Sequence, residues 1–226
     1  FPFYRYRMHN TNKTKSVEYL KNFKEKILKI NFQKLSIVKK KLLKNIVAII
    51  PARGNSKRFK NKNIFKIKNK PMIVYTIDAC KNSNLIKHTY VSSENKKILK
   101  ISKKNKVNII ERPNNLSKDN VFKMDVIKHA LLKIEKKLKT KATIVASLQA
   151  NSPEISSTDI DNSIMKLITN DLNEVISIDK NLNSNAAIRV MKRDTVFQNA
   201  LSTYLGCIRT NINDIHYKSD IKKIKL

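Results

Sequence analysis

The sequence predicts an α/β fold with a mixed, mainly parallel sheet flanked by helices. From residue 45 onward, short apolar runs alternate with segments whose apolar residues recur every three or four positions. The first run, residues 46–50, has no polar position, which is typical of a strand covered on both faces. Strands that alternate with helices favour parallel pairing through crossover helices, and ligands of such sheets bind beyond the carboxyl ends of the strands.

The expected elements follow one another along the chain. The predicted strands cover residues 46–50, 88–92, 107–110, 143–148 and 175–178. The predicted helices cover residues 71–80, 94–105, 124–138 and 158–168. Pro71 suits the first turn of its helix, and "SSTDI" supplies a cap for the last helix. A further strand is expected within "STYLGCIRTNI", where Gly206 indicates either a close approach of backbone to ligand or a bulge or turn.

Residues 1–44 differ from the rest of the chain. Apolar residues recur there at helical spacing between Val17 and Leu42, with lysine on the other faces and almost no acidic residue. We therefore expect a basic, helical N-terminal extension, followed by one domain at residues 45–226. Either the extension lies on a membrane surface or it packs on its own domain or on a partner, and we favour packing.

The net charge of +31 raises the question of a nucleic-acid partner. The cations are spread along the whole chain and aromatic residues do not alternate with them, so a general bias towards Lys, Asn and Ile explains the charge better than a specific nucleic-acid site. Cys80 and Cys207 are isolated thiols, which favours a reducing cytoplasm. We expect neither a transmembrane helix nor a signal peptide.

The loop that follows the first predicted strand, "PARGNSKRFKNKN" at residues 51–63, combines cations with short polar side chains. Gly54 allows backbone N–H groups to approach an anion. The groups suited to phosphate are Arg53, Lys57, Lys62, Asn55, Ser56 and Asn63. Although no Walker sequence is present, the composition favours a triphosphate cradle over a solvated basic surface loop.

Five segments carry a family resemblance. They are "IPARGNSKRFKNKNI", "KPMIVYTIDAC", "HTYVSSENKKILKISKK", "IIERPNNLSKDNVFKMDVIKHAL" and "SLQANSPEISSTDID". In this order they resemble the sugar-acid cytidylyltransferases, the CMP-N-acetylneuraminate synthetase (acylneuraminate cytidylyltransferase) family. The resemblance implies a nucleotide-diphospho-sugar-transferase-like (Rossmann-like) fold, a homodimer, and an enzyme that condenses CTP with a sialic-acid-like 2-keto sugar acid to give a CMP-sugar and pyrophosphate. The acid could be neuraminate, legionaminate, pseudaminate or a KDO-like acid.

The same resemblance implies the roles of individual residues. Arg53, Ser56 and Lys62 are expected to hold the CTP phosphates, with Arg53 and Lys62 as the catalytic cations. Gly54 and Asn55 belong to the same substrate-binding loop. Asn63 and Arg112 are expected to meet the cytidine, and Gln149 the sugar acid. Fixed cations and Mg²⁺ would stabilise the charge that gathers on the α-phosphoryl oxygens and on the leaving pyrophosphate.

The chain departs from the family pattern near its end. The family's closing segment begins with two acids that bind the catalytic metal, and here Asp214 matches the first while His216 stands in place of the second. Asp220 matches the last acid of that segment. An imidazole is a poor ligand for Mg²⁺, so the site would use Asp214, water and CTP, or a softer ion such as Mn²⁺. The alternative is a weak or inactive relative that binds nucleotide or sugar acid without turnover.

The segment between residues 178 and 204 is shorter than its counterpart in the family. Three cations in it are candidate partners for a substrate carboxylate: Arg189, Lys192 and Arg193. Exposed cations on a strand edge are an equally good interpretation. His88 and His129 lie on apparent core elements, and we expect both to be structural.

Overall fold

A computed structural model describes residues 40–226, and residues 42–226 form one compact unit. The predicted N-terminal helix lies outside the described residues, and so does nearly all of the predicted extension at residues 1–44. Within the described part, no helix is both long enough and apolar enough to cross a membrane.

Nine strands and four α-helices make up the described chain, together with four short 3-10 turns. The strands are β1 (Ile46–Pro51), β2 (Lys66–Ile67), β3 (Lys70–Pro71), β4 (His88–Ser93), β5 (Asn108–Glu111), β6 (Ile144–Leu148), β7 (Glu174–Ile178), β8 (Ser184–Lys192) and β9 (Leu205–Arg209). The helices are α1 (Met72–Asn82), α2 (Lys96–Lys104), α3 (Lys123–Leu138) and α4 (Ser157–Thr169).

Seven strands form one sheet in the order β5-β4-β1-β6-β8-β7-β9, and β2 and β3 form a separate two-stranded sheet. In the large sheet, β1 pairs in parallel with β4 and β6, β4 with β5, and β7 with β9. Only β8 runs antiparallel to its neighbours in the described sheet. The predicted mixed, mainly parallel α/β fold is therefore confirmed.

The apolar run of β1 has its physical reason in this topology. Residues 46–50 have no exposed surface, because helices cover both faces of the strand. On one face, alternate residues of β1 pack with residues of α1, α2 and α4. On the other face, Val47 and Ile49 pack with Ile127, Leu131 and Ile134 of α3. Strand β1 runs through the core, so its carboxyl end, and the loop that follows, lie at the edge of the core.

Strand β8 was not predicted. It contains the predicted candidates Arg189 and Lys192, and it inserts between β6 and β7. Sequence alternation within this segment is weak, because two neighbouring pairs are buried, Ala187 with Ile188 and Val190 with Met191, on either side of Arg189. The β2–β3 hairpin was also missed, since its strands are only two residues long.

Gly206 lies inside β9, where it pairs with Val175. It is therefore neither a bulge nor a turn. A Cβ atom at this position would come within 2.4 Å of Leu172 Cδ1. The glycine leaves space for the Leu172 side chain. This packing, and not a contact with a ligand, explains why a glycine stands at position 206.

Candidate functional site

A cavity of about 490 Å³ opens beyond the carboxyl ends of the central strands. Its wall includes Pro51 at the end of β1, Arg112 just after β5 and Gln149 just after β6. The loop at residues 51–63, the segment at residues 112–126 and His216 complete the wall. The structure thus places the cavity where ligands of parallel α/β sheets bind.

Basic side chains dominate the cavity wall. One acidic side chain, Asp119, lines it together with seven basic ones: Arg53, Lys57, Arg58, Lys62, Arg112, Lys118 and Lys123. A concave wall with this excess of one charge raises the local concentration of anions. The cavity is therefore chemically suited to a ligand that carries several negative charges.

Most of the predicted site residues meet at this cavity. Arg53, Ser56, Lys62, Asn63, Arg112, Gln149 and His216 all line it. Gly54 and Asn55 do not line the cavity, and Asn55 is exposed. Asp214 is half-buried directly behind the wall, next to Ile215, whose backbone exchanges two hydrogen bonds with Asn151.

The loop after β1 is held in place by contacts to the end of β4. The N–H of Gly54 donates to Glu94 Oε1 at 2.6 Å. A Cβ atom on Gly54 would lie 2.6 Å from the Cβ of Asn95, which explains why a glycine is needed here. Across the loop, Asn63 Nδ2 donates to the carbonyl oxygen of Arg53 at 2.9 Å. The Gly54 amide thus binds an anion, but the anion is a carboxylate of the protein.

Glu94 also binds Arg112 and Ser117. Its Oε2 accepts from Arg112 Nη2 at 2.6 Å and from Ser117 Oγ at 3.0 Å. Burial opposes the ionisation of Glu94, but hydrogen bonds from Arg112 and Gly54 outweigh it and lower the pKa of this carboxyl. Sequence reasoning missed Glu94, although it stands in the quoted segment "HTYVSSENKKILKISKK", because Glu94 was predicted to be the first residue of a helix. In the structure α2 begins later, after the Asn95 cap.

Arg112 has a donor to spare. Only 5% of the residue is exposed, and its Nε has no hydrogen-bond partner among the described residues. Unpaired buried donors are rare in proteins because they forfeit the hydrogen bond that water would give. Arg112 lines the cavity, although its Nε atom is itself buried.

Arg53 and Lys57 share one carboxylate at the mouth of the cavity. Arg53 Nη1 pairs with Asp119, and Lys57 Nζ lies 2.7 Å from Asp119 Oδ2. Hydrogen bonds from Lys57 and Arg53 lower the pKa of Asp119. Ion pairs this exposed contribute little to stability, so a ligand anion could replace the carboxylate at small cost.

Two lysines approach Asp214 from different parts of the wall. Lys62 Nζ donates to the carbonyl oxygen of Ile215 at 2.8 Å. Burial lowers the pKa of Lys62 to about 8, against the opposing effect of Asp214. Burial also lowers the pKa of Lys123 to about 8, again against Asp214. The pKa of Asp214 itself is raised by burial, although Ser152 Oγ donates to its carboxylate.

The predicted metal ligands give a sparse donor set. Asp214 offers one carboxylate, and His216 is an exposed residue on the cavity wall. Asp220 is occupied otherwise, because its Oδ2 accepts from the backbone N–H groups of His216 and Tyr217 at 2.9 and 2.8 Å. Among residues 40–226 no three metal-binding side chains come together. One carboxylate still suits Mg²⁺ when substrate phosphates and water supply the other oxygens.

The three candidate partners for a substrate carboxylate are already paired, which corrects that interpretation. Arg189 lies 2.7 Å from Glu174, Lys192 lies 2.7 Å from Asp171, and Arg193 donates through Nε and Nη2 to Glu135. None of the three lines the cavity. These three ion pairs join β8 and the residue after it to neighbouring elements.

On α3, His129 is half-buried and its Nδ1 has no partner in the described chain.

The chain is similar in sequence to several known proteins. The post-translational flagellin modification protein B of Campylobacter coli is 39% identical over 119 residues, which are 52% of this chain and 51% of that protein. The CMP-N,N'-diacetyllegionaminic acid synthase of Campylobacter jejuni subsp. jejuni serotype O:2 is 37% identical over 109 residues, 48% of this chain and 46% of that protein. The matches thus span about half the length of these two relatives.

A solved structure, CMP:2-keto-3-deoxy-manno-octonic acid synthetase complexed with CTP, superposes with a TM-score of 0.63. The superposition covers 79% of this chain and 96% of the synthetase chain, at 14% sequence identity, which shows a common fold. Residues 47–207 match the sequence model of the family described as "Cytidylyltransferase". This match confirms the resemblance seen in the five sequence segments, and the chain belongs to the cytidylyltransferase family.

Proposed function

We propose that this chain transfers the cytidylyl group of CTP to a sialic-acid-like 2-keto sugar acid. The observation that carries the proposal is the cavity beyond β1, whose wall holds seven basic side chains and one acidic one. A nucleoside triphosphate is a ligand with the charge to match this wall. The family and the names of the relatives specify cytidine and the sugar acid.

The reaction places defined demands on the cavity. A hydroxyl oxygen of the sugar acid attacks the α-phosphorus of CTP, the bond from that phosphorus to the bridging oxygen breaks, and pyrophosphate leaves. The hydroxyl proton passes to solvent or to a base. Negative charge grows on the leaving group, and fixed cations stabilise it without having to reorganise.

The residues on the wall divide these tasks. Arg53 and Lys62 are the proposed catalytic cations, and Ser56 assists at the phosphates. Arg112 and Asn63 are the proposed partners of the cytidine, because both line the cavity. Gln149 faces the sugar acid from the end of β6, where its backbone is fixed by Thr76 and Ala187. Gly54 and Asn55 act indirectly, because Gly54 shapes the loop through Glu94.

The protein supplies too few ligands for a divalent ion by itself, so the ion fits this site only when the nucleotide is bound as well. We propose Mg²⁺ or Mn²⁺ held by Asp214, with His216 on the wall as a further candidate ligand. When bound, the ion would neutralise charge on the phosphates. The proposed enzyme works as a homodimer in the cytoplasm, and light scattering on the purified chain tests the dimer.

The domain division also stays a proposal. We propose that residues 45–226 carry the reaction and that the preceding residues are dispensable for it. Thr143 Oγ1 donates to the carbonyl oxygen of Leu42 at 2.6 Å, so a shortened chain should begin at residue 40 to keep this contact. Equal turnover by the full and the shortened chain is expected, and a folded but inactive shortened chain would refute the division.

The test of the proposed function is pyrophosphate release with CTP, Mg²⁺ and a panel of 2-keto sugar acids. We expect turnover with at least one acid and a preference for CTP over ATP and GTP. Arg53→Ala and Lys62→Ala should each lower the rate by roughly 10²–10³. Lys60→Ala is the matched control, because Lys60 is an exposed cation of the same loop that does not line the cavity. Equal binding of all three nucleotides would contradict the proposal.

A further inference from the structure

Lys123 is the first residue of α3, and its side chain lines the cavity. It is only partly exposed. Among residues 40–226 it has neither an ion-pair partner nor a side-chain hydrogen bond, whereas Arg53 and Lys57 pair with Asp119, and Arg112 pairs with Glu94. Lys62 donates a hydrogen bond to the carbonyl oxygen of Ile215. Lys123 therefore differs from the other half-buried cations of the wall in having no acceptor from the described protein.

This arrangement carries an energetic cost. Burial lowers the pKa of Lys123 to about 8, and nearby Asp214 only partly opposes the shift. A lysine removed from water without a partner destabilises the folded protein, and an apolar side chain of similar length would fit better at that place. Groups that are costly in the free protein commonly serve a bound ligand.

We propose that Lys123 is a phosphate-binding residue of this cavity, with its ammonium group donating to the triphosphate of the bound nucleotide. The proposal rests on the proposed function, since it names a further residue of the same site. With Lys62 it places two ammonium groups near Asp214, from two segments far apart in the sequence. A bound phosphate chain would be held from both segments, and the charge on the departing pyrophosphate would be shared between them.

The proposal has a signature that a structural role would not give. Lys123→Met removes the unpaired charge and keeps the aliphatic length, so the variant should bind the nucleotide less well and unfold at an equal or higher temperature. A lysine that merely supports the fold would behave in the opposite way, with lower stability and unchanged binding.

The experiment compares the parent with Lys123→Met, Lys123→Arg and Lys136→Met. Lys136 lies on the same helix, is exposed and does not line the cavity, so its variant controls for the loss of one charge. Calorimetry measures the binding of CTP, CMP and inorganic triphosphate in buffer with EDTA, and thermal unfolding is recorded for each protein. Lys123→Gln is measured alongside, in case the methionine variant does not fold.

Loss of one charge-assisted hydrogen bond should weaken CTP and triphosphate about tenfold or more, with a smaller effect on CMP. Lys123→Arg should retain most of the affinity, and Lys136→Met should bind as the parent does. If the parent binds CTP and the neutral variants bind it equally well, the role of Lys123 is wrong and the proposed function stands. If the parent binds triphosphate through Lys123 but not CTP, the anion site stands and the proposed function is wrong. Binding of neither ligand by the parent would overturn both.

Discussion

Glu94 and the buried Arg112 form an ion pair, with Arg112 Nη2 2.6 Å from Glu94 Oε2. The other carboxylate oxygen of Glu94 accepts from the N–H of Gly54 at 2.6 Å. One side chain therefore joins the loop after β1 to the residue that follows β5. These are the two parts of the wall to which we assign the phosphates and the cytidine, so Glu94 is positioned to fix their separation.

Replacement of Glu94 by Gln should damage both binding and stability. The amide keeps an acceptor but loses the charge that Arg112 and the Gly54 amide are paired with, and a weakened buried contact of this kind costs about 1–3 kcal/mol. We expect KM for CTP to rise more than kcat falls, because Glu94 positions binding groups and does not line the cavity. Glu94→Asp should recover part of the affinity. Glu111→Gln is the control, since it removes the same charge from an exposed residue next to Arg112. Equal KM values in the Glu94→Gln variant and the parent would refute this role.

The same carboxylate predicts a pH dependence of stability. The unperturbed pKa of this side chain is 4.5, and hydrogen bonds lower the pKa in the folded state despite burial. Ionised Glu94 therefore stabilises the fold above pH 4.5, and this stabilisation is lost as the pH falls through the lowered folded-state pKa. The difference in Tm between the parent and Glu94→Gln should stay constant from pH 7 to about pH 4.5 and shrink below it. A constant difference down to pH 3 would show that Glu94 is not held as the structure shows.

The two glycines of the chain should respond differently to alanine. A Cβ atom on Gly54 would meet the Asn95 side chain at 2.2 to 2.8 Å, and on Gly206 it would meet Leu172 Cδ1 at 2.4 Å. Overpacking of this kind costs typically about 1–3 kcal/mol. We expect Gly54→Ala to lose more stability than Gly206→Ala, because at Gly206 only the end of the flexible Leu172 side chain must move. Only Gly54→Ala should lose CTP affinity, because the loop must shift away from Glu94. Calorimetry and chemical unfolding separate the two effects. Unchanged CTP affinity in Gly54→Ala would contradict the proposed coupling.

The sequence was most informative where burial determines the pattern. The run at residues 46–50 predicted β1 correctly because both faces of that strand are covered. The cavity loop was found from its composition alone, since the residues at 53–58, one glycine and five polar or basic residues, follow a buried strand without an apolar residue among them. Arg112 was assigned through the family resemblance. Its buried position and its free Nε became visible only in three dimensions.

Other features depend on contacts between distant segments. Arg189 and Arg193 had the appearance of free cations, and their partners Glu174 and Glu135 lie 15 and 58 positions away in the sequence. Lys123 is one of many lysines in a lysine-rich chain, and nothing local separates it from Lys128 or Lys136. Lys123 is distinguished only by its position in the folded chain, where its side chain on α3 lines the cavity. Glu94 was overlooked because the predicted helix began at this residue. In the structure Asn95 caps the helix, which therefore begins later.

The last prediction concerns the metal. Of the two acids of the closing segment, Asp214 is the one left available, because Asp220 is held by backbone N–H groups. Lys62 and Lys123 act on Asp214 electrostatically, so their positive charges should oppose the binding of a divalent ion to the free protein. A nucleotide bound to both lysines would remove that opposition and add phosphate oxygens, which Mg²⁺ prefers. We therefore expect Mg²⁺ to bind as its CTP complex and not by itself.

Three variants examine this expectation through Mg²⁺ titrations of pyrophosphate release and calorimetry of Mg²⁺–CTP. His216→Asp adds a hard oxygen and a negative charge, so half-maximal activity should need less Mg²⁺ than in the parent. His216→Asn, which adds an oxygen without the charge, should stay close to the parent. Asp214→Asn should abolish activity at any Mg²⁺ concentration and lower the affinity for Mg²⁺–CTP more than the affinity for CTP in EDTA. If Asp214→Asn titrates as the parent does, the ion is held elsewhere and the assignment of Asp214 is wrong.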